Sequence, residues 1–161
     1  MDIYTFALNM EKDGEEYYKK LSAECGNKGL KNIMNMLADA EAKHYAVIEK
    51  IRNHVNAELT DSTIISRAKN IFQDMKKGAS ANDFTISQVD MYVRALEIEK
   101  ASIEFYSSKA NETSDEKQKA ILSELAEEER KHHFLIGNII EFVNKPALWL
   151  ENSEFNHLDE Y

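Results

Sequence analysis

Apolar residues recur at alternating three- and four-residue spacing along four segments of the chain, which is the pattern of amphipathic helices. The segments cover about residues 2–24, 28–57, 86–111 and 115–144. The second is predicted to bury Leu30, Met34, Leu37, Ile48, Ile51 and Val55, and the third Met91, Ala95, Ile98, Phe105 and Tyr106. The chain contains only five glycines and one proline, so these helices should be long and continuous.

The connections between these segments predict how the helices are arranged. Residues 25–27 and 111–115 are short and turn-like, so each flanking pair of helices should form an antiparallel hairpin. Residues 58–85 are longer and carry a helical pattern of their own. That short helix is predicted from Ile64, Ala68, Ile71 and Met75, with Thr60, Asp61 or Ser62 as its N-cap and Gly78 at its end.

Two hairpins joined by one long crossover predict an all-α, ferritin-like four-helix bundle. We expect one domain over residues 1–145, divided into a first hairpin at 2–57, a crossover at 58–85 and a second hairpin at 86–144. Residues 146–161 should form a tail that packs on the bundle or on a partner subunit. Trp149 and Phe155 are its expected anchors.

Charge and cysteine content argue against several classes of protein. The net charge of −9 disfavours a nucleic-acid partner, because phosphate binding needs a basic patch. The single cysteine, Cys25, is expected to be a small residue near a helix end and permits no internal disulfide or Cys-x-x-Cys site. Charges throughout the first 25 residues, and the lack of ~20 consecutive apolar residues anywhere, predict no signal peptide, no membrane contact and a cytoplasmic location.

The two hairpins repeat one another at a fixed offset of 88 residues. The paired residues are Glu11 and Glu99, Tyr18 and Tyr106, Glu41 and Glu129, and His44 and His132. In each half, the glutamate and histidine of a Glu-x-x-His motif stand in the middle of the apolar stripe of their helix. Four carboxylates and two imidazoles should therefore meet in the centre of one core.

The charge of this cluster predicts a metal site. An unpaired ionised carboxylate in an apolar interior costs several kcal/mol, and no Lys or Arg on these stripes neutralises the four glutamates. Two divalent cations would balance the charge and leave the imidazoles neutral as ligands. Residues i and i+3 share a helix face, so each Glu-x-x-His can bind one metal centre. Mixed carboxylate and imidazole ligation suits iron or manganese, and it is the pattern of di-iron and di-manganese carboxylate bundles.

Other candidate residues have plainer interpretations. A third Glu-x-x-His, at Glu154 and His157, has no repeat partner and no apolar series around it, so we expect no metal there. Tyr18 and Tyr106 are predicted to orient carboxylates of the opposite hairpin through their hydroxyls, the alternative being aromatic packing alone. The histidines without a repeat partner, His54 and His133, are expected to be surface or packing residues.

These motifs resemble the rubrerythrin family of the ferritin-like superfamily. The likeness covers about residues 1–144 and rests on two Glu-x6-Tyr helices, each followed by a Glu-x-x-His helix. It implies two irons with two bridging carboxylates and two pairs of terminal ligands, namely Glu41 and Glu129, Glu11 with His44, and Glu99 with His132.

Two features depart from the family pattern. Rubrerythrins usually carry a rubredoxin-like domain with four iron-binding cysteines, whereas this sequence has only Cys25, so a separate redox protein is expected to supply electrons. The family also typically has a further carboxylate one turn after the third-helix glutamate, where Ser102 stands here. The remaining set of six ligands resembles the ferroxidase site of bacterioferritin as closely as it resembles the site of rubrerythrins.

The resemblance implies an oxidoreductase of oxidative stress, in which two iron ions, or manganese, reduce hydrogen peroxide or dioxygen. Two other functions stay open. One is iron binding and storage by a hollow oligomer, and the other is a helical interaction module whose metal is structural. A homodimer or a larger homo-oligomer is expected.

Overall fold

A computed structural model of the protein describes residues 2–78, 89–145, 149, 156–159 and 161. These ranges contain five long helices: α1 (Ile3–Glu24), α2 (Lys28–Arg52), α3 (Ile64–Gly78), α4 (Val89–Glu112) and α5 (Glu116–Asn144). A single turn, α6, spans Asn156–Asp159. No β-strand occurs in the described ranges.

Polar side chains fix where three of the helices begin. Asp2, Asn27 and Asp115 precede α1, α2 and α5, and each accepts hydrogen bonds of 2.9–3.3 Å from backbone N–H groups in the first turn of its helix. A cap of this kind satisfies donors that the helix leaves unpaired and contributes about 1 kcal/mol. The two predicted short turns, residues 25–27 and 111–115, therefore end on Asn27 and Asp115, which cap the helices that follow.

The long helices pack as two antiparallel hairpins, α1 with α2 and α4 with α5. Between them, α3 lies across α2 and α5, the two helices that carry the Glu-x-x-His motifs. The predicted all-α, ferritin-like bundle is confirmed. None of the described helices combines the length and the apolar composition that crossing a bilayer requires.

Two apolar clusters make up the core, and the polar positions of the repeat lie between them. The larger cluster surrounds the ends of α1 and α5 and the starts of α2 and α4, and its buried residues include Leu30, Leu37, Ile136 and Phe142. The smaller one, at the other end of the bundle, includes Leu8, Ile48, Leu122 and Leu125. The buried residues of α3 all belong to the larger cluster, so the two halves of the repeat have different surroundings.

The end of α2 differs from the prediction, because the helix stops at Arg52 rather than near residue 57. The N–H of His54 bonds to the carbonyl of Ile51 at 3.1 Å, and the N–H of Val55 to that of Lys50 at 2.8 Å. This is a Schellman motif, with His54 in the left-handed conformation at φ 58°. Val55, predicted to be buried, is 54% exposed because the chain has already left the helix.

Two of the predicted apolar stripes are correct only in part. On α3, Ile64, Ala68 and Met75 are buried as predicted, but Ile71 is only partly buried, and Phe72 is fully buried against Phe142, with 5.2 Å between ring centroids. On α4, Ala95 and Tyr106 are buried as predicted, whereas Met91, Ile98 and Phe105 are partly buried. The core face of α4 consists of Tyr92, Ala95, Glu99, Ser102, Tyr106 and Ala110. The apolar pattern alone passes over its two polar positions, Glu99 and Ser102.

The start of α3 also differs from the prediction. The backbone carbonyl of Thr63 accepts the first hydrogen bond of the helix, from the N–H of Arg67 at 3.0 Å. Thr63 follows the three predicted cap residues, two of which, Asp61 and Ser62, contact α5 instead. Asp61 and Ser62 therefore contact α5, a helix distant in sequence, instead of capping α3.

The described part of the tail lies against α3 and α5. The ring of Trp149 packs on Phe72 and Phe142, with centroid distances of 4.4 and 5.6 Å. Asp159 in α6 pairs with Lys69 of α3 at 2.7 Å. Phe155, the second predicted anchor, lies outside the described residues.

Replacing His54 by glycine should raise the free energy of unfolding by about 1 kcal/mol, because the left-handed backbone strains a residue that carries a Cβ. His54→Ala keeps the Cβ and should bring no such gain. Urea titration followed by circular dichroism measures both variants. A loss of stability in the glycine variant would contradict the helix end described above.

Candidate metal centre

The six charged residues of the repeat meet in the middle of the bundle, between the two apolar clusters. They comprise Glu11 from α1, Glu41 and His44 from α2, Glu99 from α4, and Glu129 and His132 from α5. All six are buried, and none is more than 4% exposed. Four helices thus bring every predicted metal ligand into one interior site.

These residues form two overlapping sets of four potential ligands. The sets are Glu11, Glu41, His44 and Glu129, and Glu41, Glu99, Glu129 and His132. Within each set, one ligand atom from each residue lies within 4.8 Å of the others. Glu41 and Glu129 belong to both sets, so each can reach two metal positions.

Both imidazoles turn Nδ1 toward a carboxylate of the opposite hairpin. His44 Nδ1 lies 2.9 Å from Glu129 Oε1, and His132 Nδ1 lies 3.1 Å from Glu41 Oε1. The two rings are stacked 5.7 Å apart, with only 8° between their planes. The pairing of motif residues across the bundle gives the site the symmetry of the 88-residue repeat.

Two buried tyrosines hold the remaining carboxylates from across the bundle. The Tyr18 hydroxyl donates a hydrogen bond to Glu99 Oε1, and the Tyr106 hydroxyl donates one to Glu11 Oε1. Burial, and then the charge of the nearby carboxylates, raises the pKa of both phenols well above its usual value. Both tyrosines therefore stay protonated and act as donors.

Gly14 and Ser102 are partners in the repeat, one helical turn beyond the glutamates of α1 and α4. A Cβ at Gly14 would lie 3.5 Å from the Glu41 carboxyl group, so that group packs almost directly on the α1 backbone. The Ser102 hydroxyl donates to the carbonyl of Ile98 in its own helix at 3.2 Å. Neither position adds a carboxylate to the six ligands.

The contacts among the described residues leave several atoms of the centre without a hydrogen bond. Glu11 Oε2, Glu99 Oε2 and Glu129 Oε2 are buried acceptors of this kind. A buried acceptor without a partner costs about 1–3 kcal/mol, and more when it is charged. Divalent cations would supply the missing partners, and carboxylates with imidazoles and no thiolate suit iron or manganese. The residues present therefore fit a two-metal centre.

The carboxyl groups of the centre have strongly perturbed pKa values when no metal is present. Burial raises the pKa of Glu41 and Glu129 well above the usual range, and the charges of neighbouring carboxylates raise it further. Burial acts in the same direction on Glu99, but the positive charge of His132 and hydrogen bonds with Glu129, His132 and Tyr18 together outweigh it and lower the pKa of Glu99 to about 2. Glu41 and Glu129 therefore favour the neutral form and Glu99 the charged form.

The remaining groups complete the charge balance. Burial would raise the pKa of Glu11, but hydrogen bonding with Glu41 and the charge of His44 lower it below its usual value. Burial disfavours the charged imidazoles, yet the carboxylates around His44 and His132 raise the pKa of both. These shifts favour neutral Glu41 and Glu129 and charged imidazoles, which lowers the net negative charge of the metal-free centre, so divalent cations compete with protons for it.

A buried ion pair beside the centre was not predicted. Lys131 and Glu128 of α5 pair at 3.1 Å, with side chains 10% and 5% exposed. Lys131 also contacts Asp61 of the crossover, and Glu128 accepts the N–H of Ser62 at 3.0 Å. The spacing of this pair is visible in the sequence, because Glu128 and Lys131 stand three residues apart, whereas Ala40 holds the equivalent position before Lys43. Lys43, the repeat partner of Lys131, is exposed.

The other candidate residues lie outside the cluster. His54 is exposed and His133 partly buried, and neither belongs to the ligand sets. Cys25 ends α1 as a buried thiol, near a helix end as predicted. The side chains of Glu154 and His157 lie outside the described residues.

A model of the protein family described as Rubrerythrin matches residues 2–138 of the chain. This span includes all six residues of the centre and both tyrosines. Comparisons with curated proteins and with solved structures found no match.

Glu99→Gln should destabilise the metal-free protein by about 3 kcal/mol at pH 7, because it leaves the buried His132 cation without its counter-charge. The pKa of Glu99 is lowered on folding, so its contribution is present above about pH 4.5 and is lost as the pH falls toward 2. Glu129→Gln is the control, since the raised pKa of Glu129 favours its neutral form, and it should change stability little or increase it. Equal losses in urea titrations of the two variants would contradict the charge pattern.

Metal binding should release protons, since Glu41, Glu129, His44 and His132 all have a raised pKa without metal. The affinity should therefore fall as the pH is lowered below 7. Calorimetric titration with Mn²⁺ in buffers that differ in ionisation enthalpy counts the protons. A binding enthalpy independent of the buffer would rule this out.

Proposed function

The chain belongs to the rubrerythrin family of ferritin-like proteins, and from this premise we propose that it is a di-iron oxidoreductase that reduces hydrogen peroxide or dioxygen. The observation that carries the proposal is the pair of ligand sets that share Glu41 and Glu129. Shared carboxylates would hold two metal ions side by side, which suits a reaction on two bonded oxygen atoms. Two ferrous ions, when bound, supply the two electrons that such a reduction needs.

The division of the ligands follows from the two sets. Glu41 and Glu129 are proposed as bridges, Glu11 and His44 as terminal ligands of one ion, and Glu99 and His132 as those of the other. Four carboxylates balance two divalent cations, so the buried centre stays neutral. Manganese fits the same donors and is the alternative metal.

The residues around the ligands would keep the carboxylates in place. The Tyr18 and Tyr106 hydroxyls each occupy one oxygen of a terminal glutamate, while Oε2 of the same glutamate makes no hydrogen bond. This fixes the carboxylate orientation and leaves the second oxygen for metal. The apolar clusters on both sides exclude bulk water and strengthen electrostatic interactions in the centre.

A separate redox protein is proposed to return electrons to the centre. The only cysteine of the sequence is Cys25, so these 161 residues cannot form a four-cysteine iron site. Ser102 stands where the family typically has a carboxylate, and its hydroxyl is turned into α4. The proposed chemistry therefore depends on six ligands alone.

Anaerobic titration with ferrous iron should load about two ions per chain, and stoichiometric peroxide should then oxidise them rapidly, followed by optical absorption. Glu129→Gln should weaken iron binding by at least about tenfold, because it removes a ligand common to both positions. Glu124→Gln, at an exposed position on the same helix, should behave as the wild type.

Oxidation no faster than that of free ferrous ion would remove the proposed activity. The ratio of the rates with peroxide and with air identifies the preferred oxidant. The mass in solution separates the alternative function, because iron storage requires a hollow assembly of many chains and a dimer would argue against it.

A further inference from the structure

A groove reaches one side of the candidate metal centre in the described part of the structure. It has a volume of about 960 Å³ and runs between α2 and residues 58–64 at the start of the crossover. His44 lines this groove, and the other five residues of the centre do not. Both imidazoles are buried, so the groove, and not their exposure, distinguishes His44 from His132.

Polar contacts attach residues 58–64, which cover the groove, to α5. Glu128 Oε1 accepts the Ser62 N–H at 3.0 Å and pairs with Lys131 Nζ at 3.1 Å. Lys131 Nζ also donates to the Ser62 carbonyl oxygen at 3.5 Å and contacts Asp61. Because Asp61 is exposed, we attribute most of the hold on this segment to the buried Glu128 and Lys131.

The lining of the groove suits a hydrated cation. It contains four carboxylates and two cations, namely Asp39, Glu58, Asp61, Glu128, Lys43 and Arg67. The carboxylates outnumber the cations even when Lys131, which contacts two of them, is included. The volume is far larger than the ~30 Å³ that one water molecule occupies in the liquid, so an ion can enter with its hydration shell.

We infer that this groove is the route by which divalent metal ions reach the centre, with His44 as the first ligand that they meet. Lys131 is a positioning residue on this route. Together with Glu128, it holds residues 58–64 over the groove and thereby limits the rate of metal exchange. The inference rests on the proposed metal centre.

Extraction of bound Co²⁺ by EDTA, followed by the visible absorption of the metal, tests the role of Lys131. Lys131→Met should speed extraction several-fold at unchanged stoichiometry, and the Ser62 amide should exchange its hydrogen faster. Lys43→Met is the matched control, because Lys43 is the repeat partner of Lys131, lines the groove and is exposed. Equal acceleration in both variants would show that groove charge sets the rate and would overturn the role of Lys131.

Blocking the groove tests the route itself. Ala40 lines the groove one helical turn before His44, so Ala40→Phe should slow both loading and extraction several-fold. Ala101→Phe, at an exposed position on α4, should leave both rates unchanged. Wild-type rates in Ala40→Phe at full stoichiometry would overturn the route. Failure of the wild type to bind any metal would instead overturn the proposed centre, and the route with it.

Discussion

The structure depends on one constraint, which is the placement of four carboxyl groups in the middle of an apolar core. Burial alone would make four ionised carboxylates prohibitively unfavourable. Without metal, the raised pKa values of Glu41 and Glu129 favour their neutral forms, and those of His44 and His132 favour the charged imidazoles. Both shifts reduce the net negative charge of the buried centre. Two divalent cations would balance the same four carboxylates without these protons.

This arrangement does not serve the stability of the fold. Apolar clusters on both sides supply the packing, and a buried polar layer between them is at best neutral compared with apolar residues of similar size. Protonating Glu41 and Glu129 on folding opposes stability at neutral pH, because their pKa values are raised. Three carboxylate oxygens also make no hydrogen bond to any described residue. A ligand that binds the folded protein accounts for these features better than folding does.

Local spacing in the sequence was sufficient to predict the helices and the cluster, because positions three and four apart share a helix face. It failed where contacts distant in sequence decide the outcome. A non-glycine residue, His54, closes α2, so the usual signal of a helix end was missing. On α4 the apolar pattern predicted Met91, Ile98 and Phe105 to be buried, but they are only partly buried. Tyr92, which the pattern left out, faces the core. Lys131 is buried and Lys43 exposed. Glu128 pairs with Lys131 from three residues before it, where the first half of the repeat has Ala40, and the crossover adds Asp61.

The crossover makes a symmetric ligand set asymmetric in its access to solvent. Two repeated hairpins produce equivalent ligands for two metal positions, but a single chain segment connects them and can follow only one course across the bundle. Here it follows α2 and α5, is attached through Ser62 to Glu128, and borders a groove that His44 lines. Equivalent ligands therefore need not make equivalent positions. In the proposed centre, an ion held by His44 would lie beside the groove, so metal should exchange first at this position and then at that of His132.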